Sequence, residues 1–96
     1  MKTVLYVEAN PDAVKARWRK LMDENLGDIR EFSESRRLVE TWDTEYMVKS
    51  VTDSWQTYCG LRYNEVFIDE YADITEEKLH NIKCRIMPMG DKVSKS

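Results

Sequence analysis

A chain of 96 residues, 42% of them hydrophobic, is enough for one small domain with a real core and too short for two. Fifteen basic against 18 acidic residues leave a net charge of −3, which excludes bulk attraction to nucleic acid and leaves any such binding to a local patch. The opening residues lack a signal-peptide pattern and no apolar run approaches membrane-spanning length, so a soluble, cytoplasmic protein is expected.

In chain order, residues 3–7 (Thr-Val-Leu-Tyr-Val) form a continuous β-rich run, as expected of a central strand. Asn10 as N-cap and Pro11 at the first helical position then start a helix whose apolar residues Val14, Trp18, Leu21 and Met22 recur at helical spacing, ending near Gly27. Its other side carries Lys15, Arg17, Arg19 and Lys20, a solvated face or an anion-binding surface that would serve nucleic acid. Residues 28–33 suit a short second strand. Leu38, Val39 and Trp42, at i, i+1 and i+4, predict a short helix over 35–42 begun by Ser33 or Ser35.

Residues 46–51 alternate as a strand, with a helix running through them as the alternative. Asp53 or Ser54 can cap a short helix through Trp55, Tyr58 and Cys59, stopped by Gly60. Val66, Phe67 and Ile68 read as a strand covered on both faces, with Asp69 and Glu70 where it emerges. Asp73 and Thr75 are alternative caps of a last helix with Leu79 and Ile82 inward; residues 86–90 break it or start a short strand. The expected architecture is α/β: one domain over 1–90, three-layered, with a mostly parallel sheet of about four strands and flanking helices, followed by a flexible polar tail at 91–96.

The chemistry-bearing candidates are few. Cys59, Cys84 and the single His80 lack zinc-ligand spacing, and the cysteines read as buried thiols of a reducing compartment. Asp69 and Glu70 stand where open α/β sheets place ligands, at the carboxyl end of a strand. Read without chemistry, they are an acidic turn before a capped helix, favoured by the helix dipole. Together with Asp73 and Glu76 they could also gather a divalent cation, although no Lys or His stands at a recognisable catalytic spacing.

The passage Cys59-Gly60-Leu61-Arg62-Tyr63-Asn64-Glu65-Val66-Phe67-Ile68-Asp69-Glu70-Tyr71-Ala72-Asp73-Ile74 resembles the Walker B region of phage terminase large subunits and helicase-like P-loop ATPases. Residues 3–21, a strand followed by Asn10-Pro11-Asp12-Ala13 and an amphipathic helix, are similar to the segment between Walker A and Walker B in those motors. The resemblance implies Mg²⁺ held by Asp69 and an attacking water oriented by Glu70. The chain departs from the pattern in having no G-x-x-x-x-G-K-[ST] phosphate loop, which removes the cradle that supplies most of that catalysis, so no autonomous ATPase is expected.

Three functions follow as expectations. The first is a small non-enzymatic, phage-type protein in the host cytoplasm that binds and modulates or inhibits a protein partner, itself an ATPase-like one under the resemblance. Trp18, Trp42, Trp55, Arg36 and Arg37 are its candidate contact residues. The second is a degenerate P-loop ATPase-like domain that binds Mg-nucleotide with a partner chain, with Asp69 and Glu70 as the remnant site. The third is a nucleic-acid-binding accessory protein using the basic helix face. No cofactor is expected beyond Mg²⁺ under the second.

Overall fold

A computed structural model describes residues 2–52, 63–69, 71–81 and 92–95. Its frame is a sheet of six strands: β1 (Lys2–Glu8), β2 (Ile29–Ser33), β3 (Leu38–Thr41), β4 (Thr44–Ser50), β5 (Glu65–Ile68) and β6 (Lys92–Lys95). They lie in the order β2-β3-β4-β1-β5-β6. The pairs β1–β4, β1–β5 and β5–β6 are parallel, whereas β2–β3 and β3–β4 are antiparallel, so the sheet is mixed. Helices α1 (Pro11–Glu24) and α2 (Glu76–Asn81) complete the described elements.

β1 is central for the reason its sequence suggests: Val4, Leu5 and Val7 are all buried, which requires cover on both faces. Because side chains alternate along a strand, the two faces carry separate apolar clusters. On one, Leu5, Val7, Leu38, Met47, Val66 and Ile68 gather with Tyr63 and Ala72, and Ile74 and Leu79 pack against them. On the other, α1 lays Val14, Trp18 and Leu21 on Val39 and Val48. Asn10 starts α1 by accepting a hydrogen bond from the Ala13 amide at 2.9 Å, and Pro11 follows it. The helix ends where Asn25 returns both its backbone and side-chain N–H groups to the Leu21 carbonyl.

Three expectations are corrected. The sheet has six strands rather than about four, because residues 38–41 extend as β3 instead of forming a helix over 35–42 and residues 92–95 add β6. Leu38 and Val39 point to opposite faces and enter different clusters, an alternation that a helix would not produce. Lys92–Lys95, inside the stretch expected as a polar tail, pairs with β5 in parallel register. The short helix expected around Trp55, Tyr58 and Cys59, and Cys84 with residues 86–90, lie outside the described residues. α2 begins at Glu76 with Thr75 in the capping place, since the Leu79 amide donates to the Thr75 carbonyl at 3.0 Å.

Tyr63, which leads into β5, is 1% exposed, and its hydroxyl has only Met47 Sδ, at 3.8 Å, as a hydrogen-bond partner among the described residues. Burial, assisted by the nearby Glu45 carboxylate, pushes its pKa up to about 12. A group whose folded-state pKa lies above its unfolded value of about 10 stabilises fully below that value, and the contribution disappears as pH rises through the folded pKa. Tyr63→Phe is therefore expected to change stability at pH 7 by less than about 1 kcal/mol, since a thioether is a weak acceptor. It should also remove part of the stability loss between about pH 10 and about 12. Urea unfolding of both proteins from pH 8 to 12 tests this; parallel pH profiles would contradict it.

Candidate functional site

Two places at opposite ends of the strands concentrate polar and aromatic side chains. The first lies at the carboxyl ends of β1 and β5, where Glu8 and Asp69 emerge side by side on the face that α1 covers. The chain leaves β1 toward β4 and leaves β5 toward β6, on the other side, so the gap between β1 and β5 is a topological switch point. A crevice of about 250 Å³ opens there, lined by Glu8, Ala13, Ala16, Arg17, Lys20 and Asp69.

Glu8, 4% exposed, is the most buried charged residue described. Arg17 reaches back from the second turn of α1 and donates from Nε to Glu8 Oε1 at 2.6 Å. Its guanidinium also lies over the Tyr6 ring, 5.0 Å from the centroid. Burial works against the charge of Arg17, but the Glu8 hydrogen bond and attraction outweigh it and the net shift is upward. Tyr6 is likewise raised, by burial first, with Arg17 opposing. Asp69 is half-buried, and its Oδ1 accepts from the Tyr71 amide at 3.2 Å, closing a turn whose next bond runs from the Ala72 amide to the Asp69 carbonyl. Glu70 lies outside the described residues, and among those described no three carboxylate, histidine or cysteine side chains converge.

The second place is the opposite end, where β3 turns into β4 through Trp42 and Asp43 alone. Two-residue hairpin loops favour residues with positive φ, yet Arg37 is the only non-glycine residue with φ above zero among those described. Side chains hold the Trp42–Asp43 turn instead. Thr41 Oγ1 accepts from the Thr44 amide at 3.2 Å, and Asp43 Oδ1 accepts from the hydroxyls of Thr41 and Thr44, both at 3.1 Å. The Lys2 amide donates to the Asp43 carbonyl at 3.0 Å, tying the turn to β1.

This bracing displays Trp42, which is 74% exposed, with Leu26 (75% exposed) on the neighbouring turn after α1. The Arg30 guanidinium lies 5.5 Å from the Trp42 ring centroid. Arg30 is the extra residue where β2 shifts its register against β3 between Ile29 and Glu31, and its Nη1 also lies 3.8 Å from Glu40 Oε2. Beside the indole is a cavity of about 280 Å³ lined by Asn25, Asp28, Thr41, Trp42, Asp43 and Tyr46.

The other candidates disperse. Trp18, expected as a contact residue, is 7% exposed and belongs to the core: its Nε1–H donates to the Leu38 carbonyl at 3.2 Å. Arg37 adopts φ 51° at the end of the β2–β3 turn and lays its guanidinium 5.5 Å from the Trp18 ring centroid. Its buried Nη1 is 3.8 Å from Glu34 Oε1, close enough for attraction and too far for a hydrogen bond. Arg36 is exposed on that turn, and Trp55 lies outside the described residues. The basic face of α1 is divided, with Arg17 bound to Glu8, Lys20 3.9 Å from Glu24, and Lys15 and Arg19 exposed.

The sequence reading missed the Glu8–Arg17 pair and the lining residues Asn25, Asp28 and Tyr46. The repeated threonine around Trp42-Asp43 was the one available signal for the turn, as Thr and Asp are common local hydrogen-bonders. Among the described residues no helix is long and apolar enough to cross a membrane. Comparison with known proteins brings no relative to either place: no family model, no curated protein and no solved structure matches this chain.

Proposed function

We propose that this chain is a binding protein that docks on a protein partner through the Trp42 turn and performs no chemistry of its own. The observation that carries this is an indole 74% exposed on a turn braced by three side-chain hydrogen bonds. Leaving so large an apolar ring in water forgoes about 1.5–3 kcal/mol of burial. Holding it on a rigid turn removes the ordering cost that a partner would otherwise meet on binding, and tryptophan and arginine together are the residue types that dominate binding energy in protein interfaces.

The test is affinity capture from a bacterial lysate by the tagged chain, with and without Mg-ATP, read by mass spectrometry and repeated with Trp42→Ala and Asp69→Ala. A dominant partner should be captured by the parent chain and by Asp69→Ala. Trp42→Ala should lose it by more than tenfold, a cost above about 1.4 kcal/mol, with its urea midpoint unchanged. Equal capture by Trp42→Ala would sink the proposal.

A second reading, Mg-nucleotide held jointly with a partner chain, draws on the place of Asp69 beside Lys20 and Arg17 in the crevice at the switch point. Under it, capture requires Mg-ATP and Asp69→Ala abolishes it.

A further inference from the structure

The cavity beside Trp42 has a one-sided chemistry. Two aromatic rings, Trp42 and Tyr46, and two carboxylates, Asp28 and Asp43, line it with Thr41 and Asn25, and among the described residues no cationic side chain does. The Asp28 carboxylate makes no ion pair among the described residues. Asp43 is oriented by the two threonine hydroxyls on its Oδ1, and its Oδ2 enters no hydrogen bond among the described residues. Asn25 commits its Nδ2 to the Leu21 carbonyl, so that its Oδ1 is the atom left to accept. What the cavity offers is acceptors and π-faces.

That combination selects a cation that is flat and rich in N–H donors. Rings attract cations over their faces, and carboxylates and amide oxygens accept charge-assisted hydrogen bonds. The Trp42 ring already shows the preference within the chain, since the Arg30 guanidinium covers one of its faces while Arg30 itself stays out of the cavity. A volume of about 280 Å³ has room for a guanidinium with part of its aliphatic stem. An ammonium would be held as a point charge, whereas a guanidinium both stacks on an indole and forks onto carboxylate oxygens.

We propose that this cavity receives an arginine side chain from the surface of the protein partner, with Trp42 and Tyr46 supplying π-faces and Asp28 and Asp43 accepting its N–H groups. The inference rests on the docking reading and adds the chemistry of the anchor that the partner brings.

The experiment titrates the full ¹⁵N-labelled chain with acetyl-Gly-Arg-Gly-amide and with the same peptide carrying citrulline or lysine in place of arginine. Citrulline keeps the shape and removes the charge. The arginine peptide should give saturable shifts at the Trp42 indole N–H and at the amides of residues 25–28 and 41–46, and should bind about tenfold or more tightly than either other peptide. Asp28→Asn, at an exposed position, should weaken it about fivefold or more while leaving the urea midpoint in place. Equal binding of the citrulline or lysine peptide, shifts that do not saturate, or shifts centred elsewhere would overturn the inference. If Trp42→Ala abolishes partner capture while the peptides are not discriminated, the arginine anchor fails and docking stands. If the arginine peptide binds as described while Trp42→Ala leaves capture unchanged, docking fails and the arginine site stands alone.

Discussion

Trp18→Ala is expected to lower the unfolding free energy by about 3–5 kcal/mol, the range for removing a large aromatic side chain from a core. That is a large fraction of the about 5–15 kcal/mol that holds a domain of ordinary stability together. Trp18 sits at the middle of the face of α1 that packs on the sheet, between Val14 and Leu21, and closes the cluster formed with Val39 and Val48. It also ties α1 to β2 and β3. Its N–H holds the Leu38 carbonyl of β3, its ring stands 6.4 Å from the Phe32 ring of β2, and Arg37 stacks on it from the turn between those strands.

Trp18→Phe separates the contributions. The ring and most of the packing are kept, but the buried Leu38 carbonyl loses its donor, so a cost of about 1–3 kcal/mol is expected. Urea unfolding of the two variants and the parent chain measures both. A loss below about 2 kcal/mol for Trp18→Ala would mean that the β2–β3 hairpin does not depend on α1 for its support.

How much of this was legible in the sequence depends on whether the signal was local. Asn10 and Pro11 start α1, and the spacing of Val14, Trp18 and Leu21 marks its buried side, because capping and periodicity are properties of neighbouring residues. Asp69 was legible as the end of a buried strand for the same reason. By contrast, Leu38, Val39 and Trp42 have a spacing that fits a helix, and only pairing with β2 and β4, residue by residue, draws Leu38 and Val39 into β3 and leaves Trp42 in the turn. Their turn was hidden because Trp42-Asp43 lacks the Gly or Asn that marks two-residue hairpins, its geometry being held by threonine hydroxyls. The partnership of Arg17 with Glu8 depends on how α1 folds back over β1, and the cavity beside Trp42 on three turns and strands meeting at one end of the sheet. No periodicity encodes either.

The second large effect concerns that Glu8–Arg17 pair. Arg17→Met keeps a long apolar stem over Tyr6 and removes the charge, leaving a carboxylate whose side chain is 5% exposed without its partner. Removing one member of a buried ion pair costs about 3–5 kcal/mol. The Arg17 side chain is 27% exposed, so water reaches the pair and the loss should sit near the lower end, at about 3 kcal/mol. The converse variant, Glu8→Gln, should cost less, because the freed guanidinium can turn toward water while a buried carboxylate at the end of β1 cannot. The decisive comparison is the double variant Glu8→Gln/Arg17→Met. If the cost of Arg17→Met comes from a stranded charge, neutralising Glu8 as well should recover at least half of it, a coupling that a double-mutant cycle in urea reads directly. Strict additivity would instead mean that Arg17 acts through its packing on Tyr6.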